Sequence, residues 1–511
     1  MKSPSAPRAL SKSRLVAFRQ CPKRLWLEVH RRELRTDSAT TQAVFRRGHE
    51  VGYLARRLAD PLATGSLVDL QADGIDAALA LTSRLLQGDK PIFEAGFRAA
   101  GGLAFADLLM PIEEGSNRRW AMVEVKSSTS VKPYFFDDVA IQSRIAVAAG
   151  VDLARVAVAH VDATWTYPGG GDYRGLLVEV DVTAEAFSRH EQVDDWIAQA
   201  HAVVACPQPP VVAVGSQCTA PFACGFRDHC AAGQAVAEFP LAWLPGQKSA
   251  ALQRHVTEHG VSDMFDMRDV PEALLSPLQR RVREVTTSGR PFIDAAGLAR
   301  ALGPHPLPAY FLDFEAVQFA VPRWPGTRPY QMLAFQFSVH RLGADGSLGH
   351  AGFLDVSSND PSLPLVEALL DACREPGPVF VYNGSFEGAR IEELAQRFPE
   401  YADALLKLRR RLVDLYPITL RHFCHPVQRG SWSLKRLLPA VAPELHYGDL
   451  PGVRDGDMAM QAYLEAIDPS VTAERRAAIE DGLARYCELD TRALVELFRC
   501  LHQHGLSSPT P

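Results

Sequence analysis

The sequence predicts an α/β protein with more than one domain, on three observations. Apolar runs of strand length, among them Tyr310 to Phe319 and Trp120 to Ser127, alternate with segments whose apolar residues recur at helical spacing. The chain has 511 residues, a length that suits roughly two to four domains. With 47% apolar and 22% charged residues it has the balance of ordinary globular proteins. No apolar run reaches membrane-spanning length, and the first residues lack the apolar segment of a signal peptide. A cytoplasmic protein without a membrane partner is therefore expected.

Charge is distributed unevenly. Residues 1 to 60 hold 14 Lys or Arg against 5 Asp or Glu, a balance of +9 in a chain whose net charge is −6, so the remainder carries −15. A basic arm on an acidic body suits contact with a polyanion, because phosphate contacts dominate nucleic-acid affinity. A solvated basic helix face explains the same feature.

Taken in order, residues 1–12 read as a flexible N-terminus and 13–235 as a first domain. In that domain the strand Leu103 to Met110 carries Asp107, and a polar hairpin leads to the strand Trp120 to Ser127. Side chains alternate along a strand, so Trp120, Met122, Glu124 and Lys126 share one face, with carboxylate and ammonium side by side. Glu94 in IFEAGF reads equally as a strand-edge acid or a site residue.

Cys218, Cys224 and Cys230 are spaced C-x5-C-x5-C, with Cys21 far upstream. Zinc sites usually use closer pairs, and an odd total of nine cysteines argues against a disulfide framework. Cys206, Cys373, Cys424, Cys487 and Cys500 are expected to be buried thiols. Residues 240–303 have a helical pattern and read as a connector, in which Arg280, Arg281 and Arg283 either grip nucleic acid or form a solvated face.

Residues 305–503 form the last predicted domain, followed by a tail at 504–511. On the strand Tyr310 to Phe319, Asp313 and Glu315 project from one face two residues apart. Two carboxylates so placed repel each other and lose hydration unless a cation sits between them. Glu387 follows the apolar strand Pro378 to Tyr382 and falls in the first turn of a predicted helix. The predicted helix Thr472 to His502 aligns Ile479, Leu483, Tyr486, Ala493, Leu497 and Leu501 on one stripe, and Asp490 interrupts it. Arg410, Arg411, His425 and Lys435 could border a groove, and Trp432 either stacks a base or packs inside.

These residues carry two resemblances. Asp313 and Glu315 (D-x-E), Asn383 to Glu387 (N-x-x-F-D, with Glu in place of the usual Asp) and Tyr486 to Asp490 (Y-x-x-x-D) resemble the DEDDy exonucleases of ribonuclease-H-like fold. The resemblance implies that Asp313, Glu315, Glu387 and Asp490 bind Mg²⁺ or Mn²⁺ and that Tyr486 orients water for attack at a 3′ end. The D-x16-E-x-K spacing of Asp107, Glu124 and Lys126 resembles the PD-(D/E)XK core, and with Cys21 and the cysteine trio it resembles the iron–sulfur-stapled RecB-like nucleases.

That second resemblance implies a 4Fe-4S cluster on Cys21, Cys218, Cys224 and Cys230, with zinc as the alternative. It also implies metal held by Asp107, Glu124 and His49 of the G-H pair, and catalytic help from Lys126. Gln142 matches the glutamine of a trailing Q-x-x-x-Y motif whose tyrosine is Ala146 here. The whole chain resembles a bacterial domain-of-unknown-function family joining two such domains. The expected function is a metal-dependent nuclease on nucleic-acid ends, with single-stranded DNA favoured and RNA open. The alternatives are a nucleic-acid-binding iron–sulfur scaffold with inactive sites and a zinc-stapled RNA-processing nuclease. The sequence names no protein partner.

Overall fold

A computed structural model describes residues 9–37, 39–114, 117–233, 237–450 and 452–506. The protein is mixed α/β. Its chain divides into two compact units, one of residues 1–234 with 319–331 and the other of residues 235–318 with 332–511. Among the described residues no helix is long and apolar enough to cross a membrane.

The first unit is built on seven strands: β1 (Leu10–Ser11), β2 (Ser66–Leu67), β3 (Ile92–Ala99), β4 (Gly102–Glu114), β5 (Asn117–Lys126), β6 (Leu153–Val161) and β7 (Leu177–Asp181). They lie in the order β2-β3-β4-β5-β6-β7, with β1 against β4. β3, β4 and β5 form an antiparallel meander, and β6 returns parallel to β5 after the helix Pro133–Ala148. Trp120 and Met122 pack with Val139, Ile141 and Ile145 of that helix, whereas Val123 joins a separate cluster on the other face with Ala55 and Phe93. The face of β5 that carries Glu124 and Lys126 is thus the helix-covered one.

The N-terminus departs from expectation. Leu10 and Ser11 pair in parallel with Gly102 and Leu103, and Lys12 opens the helix Lys12–Gln20. Leu10 is buried in the core, which is why this end is ordered; residues 1–8 lie outside the described residues. Phe319–Gln331, between two strands of the other sheet, belongs to the first unit, where Ala320 and Val321 pack on Val51, Leu54, Val161 and Leu176.

The second unit contains β8 (Phe292–Ile293), β9 (Ala309–Val317), β10 (Leu333–Leu342), β11 (Leu348–Leu354), β12 (Val379–Val381), β13 (Leu412–Asp414) and β14 (Phe423–Cys424). Five of them form one sheet in the order β11-β10-β9-β12-β13, in which β9, β12 and β13 are parallel and β10 is antiparallel to both neighbours. Alternation along β9 separates two cores. Tyr310, Leu312 and Phe314 face Leu365, Ile391 and Leu405, while Phe311 faces Leu494, Leu497 and Phe498 of the long helix Ala473–Leu506. Asp313 and Glu315 continue the Phe311 face toward that helix.

Residues 240–303 pack in this unit, with Leu244, Leu252, Met264 and Val282 around Cys424 and Trp432. Trp432 is buried and donates its indole N–H to the Phe423 carbonyl, so it packs and does not stack a base. The arginine triplet is engaged as well. Arg281 donates to the Leu420 and Arg421 carbonyls, and Arg280 and Arg283 approach Glu272. The turn before Trp432 depends on Gly430, at φ +68°, where a β-carbon would stand 1.8 Å from the Trp243 carbonyl oxygen. Gly430→Ala is expected to destabilise this unit by roughly 2–4 kcal/mol, read as a lower urea midpoint.

Candidate functional site

In the second unit three elements bring carboxylates together. β9 supplies Asp313 and Glu315, the helix Ala473–Leu506 supplies Asp490, and the helix Gly384–Arg397 supplies Glu387 from its first turn. Glu315, Glu387 and Asp490 are buried and Asp313 is partly so. Glu387 is positioned by the end of β12. Asn383 takes a left-handed conformation (φ 80°), and Asp414 accepts from the N–H groups of Asn383 (3.1 Å) and Gly384 (2.9 Å), turning the chain sharply into the helix. Exposed Asn383 itself accepts from Ser385, so its part here is in the turn.

The electrostatics follow from this convergence. Burial, then Asp490, Glu315 and Glu387, raise Asp313 well above the usual carboxylate range; burial and Asp490 do the same to Glu315. Burial lifts Glu387 to about 8, and its Oε2 is buried without a hydrogen-bond partner. Asp490 rises only to about 6, because hydrogen bonds from Tyr447 and Tyr486 and the charge of Lys435 oppose the effect of burial. Lys435 lies 5.4 and 5.3 Å from the ring centres of Tyr447 and Tyr486.

Sequence reasoning missed Tyr447 and assigned Cys487 no role. Oxygen atoms of Asp313 and Glu315 and the sulfur of Cys487 lie within 4.8 Å of one another. Cys487 had a legible signal: it stands three residues before Asp490 and so shares its helix face. Tyr447 had none, since only folding brings it in; Lys435, expected to border a groove, lies beside Asp490. The set suits divalent cations: four carboxylates, one with an orphaned buried oxygen, outnumber the cations that act on them among the described residues, Lys435 and Arg390.

In the first unit, Asp107, Glu124 and Lys126 also meet. Glu124 Oε1 accepts from Lys126 (2.6 Å) and from Lys12 (2.8 Å), and its Oε2 accepts from Gln142 (2.7 Å). Lys126 also bonds Asp138 of the covering helix, and Lys12 lies 3.3 Å from the same carboxylate. Burial would raise Glu124, but the two ammonium groups overcome it and hold Glu124 well below the usual range. Asp107 accepts from the Val125 N–H (2.7 Å); burial and Glu124 push it up to about 8.

Glu94 has φ +56° at the position facing Asp107, between the registered pairs Phe93–Leu108 and Ala95–Ala106. A left-handed backbone at a non-glycine residue is uncommon and occurs preferentially beside functional sites. Burial raises the Glu94 carboxyl, which pairs with Arg56 at 3.4 Å. His49 is exposed on the helix Ala39–Ala59, where its influence falls on Glu94. Gln142 is fully buried, also donates to the Phe105 carbonyl, and braces Glu124 from within the core. Lys12 and Asp138 carried no sequence signal. Much of the basic arm is paired internally: Lys12 here, Arg19 with Asp137, Arg24 with Glu28, and Arg35 with Glu28 and Asp37.

Cys21, Cys218, Cys224 and Cys230 line a single cavity together with Lys23, Arg24 and Phe226. Cys21 sits in the break between the helices Lys12–Gln20 and Pro22–His30, and Gln20 donates to the carbonyls of Gln217 (2.6 Å) and Phe222 (2.7 Å) in the cysteine loop. No three of the four sulfurs lie within 4.8 Å of one another. Of the remaining cysteines Cys373, Cys424 and Cys487 are buried and Cys500 partly so, but Cys206, at the end of the helix His190–Ala205, is exposed.

Residues 310–433 match a family model described as Domain of unknown function (DUF2779). That stretch holds Asp313, Glu315 and Glu387 and ends before Lys435 and Asp490. No curated protein matches the chain.

The raised carboxyls make a pH prediction. Asp107 and Glu387, near 8, and Asp490, near 6, hold protons in the folded metal-free protein that the unfolded chain, at about 4, has released. Folding therefore takes up protons between about pH 4 and 8, and metal-free stability should fall as pH rises through that window. Excess Mg²⁺ or Mn²⁺ should flatten this slope, as read from melting temperatures at each pH.

Proposed function

We propose that the protein is a metal-dependent nuclease whose second unit removes nucleotides from 3′ ends, with single-stranded DNA as the favoured substrate. One observation carries this reading: the charges of Asp490, Glu315 and Glu387 all act on Asp313 although as many as 177 residues separate them, and Glu387 keeps a buried oxygen without a hydrogen-bond partner. A sheet ordered third-second-first-fourth-fifth, with only the second strand reversed, supports a ribonuclease-H-like assignment. So does the placement of acids on the first strand and after the fourth.

Bound Mg²⁺ or Mn²⁺ would supply the Lewis acid that a phosphodiester requires. Asp313, Glu315, Glu387 and Asp490 would hold it. Tyr447 and Tyr486 fix the Asp490 carboxylate by hydrogen bonds, and Lys435 adds positive charge beside it. Asp490→Asn should lower metal-dependent 3′-end degradation by roughly a hundredfold or more, while the metal-free protein becomes slightly more stable. The assay uses single-stranded DNA and RNA labelled at either end, and loss of label from the 5′ end first would overturn the assignment.

For the first unit the meander β3-β4-β5, the parallel return of β6 and the trio Asp107, Glu124 and Lys126 support a PD-(D/E)XK nuclease centre. The saturation of Glu124 by two ammonium groups and an amide favours the second reading, a nucleic-acid-binding scaffold.

The cysteine cavity supports a 4Fe-4S cluster over zinc. Four thiols line it, and the C-x5-C-x5-C spacing of three of them is wider than the close cysteine pairs usual at zinc sites. Anaerobically prepared protein should be brown, with broad visible thiolate-to-iron absorption that Cys21→Ser and Cys224→Ser each remove. Colourless protein holding one zinc per chain would overturn the cluster assignment.

A further inference from the structure

The N-terminal helix carries a lysine into a centre where the sequence pattern calls for only one. Lys12 is nine residues before Cys21 and lies in no motif. Its ammonium is nonetheless 2.8 Å from Glu124 Oε1, the oxygen that also accepts from Lys126, and 3.3 Å from Asp138. Two ammonium groups and two carboxylates alternate there, and Asp107 stands close enough to act on both lysines' partner Glu124.

The position of Lys12 is built. On one side β1 pairs with β4; on the other the helix Lys12–Gln20 ends in Gln20, which grips two carbonyls of the cysteine loop. Over a helix rising about 1.5 Å per residue, the two anchors are roughly 12 Å apart, and the strut between them is short and stiff.

We propose that Lys12 is a built-in cation of the first unit's acidic centre, occupying one of the cation positions around Glu124 and competing there with a divalent ion. This rests on reading that centre as metal-dependent. Three carboxylates (Asp107, Glu124, Asp138) face two ammonium groups, so the local formal charge is −1 when all are ionised, against −3 for the four carboxylates and Lys435 of the second unit. One divalent ion already makes the first centre positive enough to match a phosphodiester, whereas the second centre needs two to reach the same charge. Lys12 thus limits the first centre to a single divalent ion and leaves a fixed positive charge for the substrate phosphate.

The test uses the full chain carrying Asp313→Asn and Asp490→Asn to silence the second unit, titrated with Mn²⁺ and followed by electron paramagnetic resonance. Lys12→Met, or Lys12→Gln should the first fold poorly, is expected to tighten Mn²⁺ binding about tenfold, because a competing unit charge is gone. The same substitution should weaken binding of single-stranded DNA, and Lys12→Arg should restore both values. A merely structural ion pair would weaken both. Mn²⁺ affinity that is unchanged or lower in Lys12→Met, while Glu124→Gln abolishes binding, overturns the role of Lys12 and leaves the metal centre standing. Absence of any Mn²⁺ binding sensitive to Glu124→Gln overturns the metal reading of the first unit, and the proposal with it.

Discussion

Asp313 and Glu315 share a face of a strand that is buried on both sides, and the helix packed against that face meets them with Asp490. Water that would hydrate these acids is displaced by Phe311, Leu494 and Phe498 further along the same interface. Like charges brought together in such a place cannot all ionise, and the protein answers in two ways. Tyr447 and Tyr486 bond Asp490 and keep its pKa lower than its neighbours'. Lys435 and Arg390 offset only part of the charge of the other acids, and Asp313, Glu315 and Glu387 stay well above the usual carboxylate range. The sharp turn at Asn383, braced by Asp414, has its effect here, since it places Glu387 at the head of a helix whose dipole favours an anion.

The first unit solves the same problem differently. Its central carboxylate, Glu124, is as deeply buried, but two lysines and a glutamine engage it fully. Asp138 then balances Lys126 from the other side. Paired charges offset the cost of burial within the chain, whereas acids that lack such partners meet it by holding protons. The raised pKa values of Asp107 and of Glu94 opposite it mark acids that the lysines do not fully compensate.

The cysteine loop ties the chain's beginning to the end of the first unit. Gln20 and Cys21 stand at the junction of two short helices, and the loop that receives them lies about two hundred residues later. The contacts that shape the cavity therefore also fix the helix that starts at Lys12. Holding one end of that helix holds the other.

The sequence by itself determined the local arrangements. A period of two puts Asp313 beside Glu315 and Glu124 beside Lys126, and a period of 3.6 puts Asp490 on the buried stripe of the last helix. These follow from backbone geometry and hydrophobic pattern, which need no knowledge of the fold. Tertiary structure alone decided which distant groups complete each centre. Lys12, Asp138 and Tyr447 belong to segments with nothing unusual in their spacing, and each reaches its centre only because a strand pairing or helix packing carries it there. It also decided that 240–303 packs in the second unit, that Trp432 is buried, and that 319–331 joins the first unit. Short-range rules set which face a side chain takes; what stands opposite that face is a long-range contact, and pattern along the chain does not encode it.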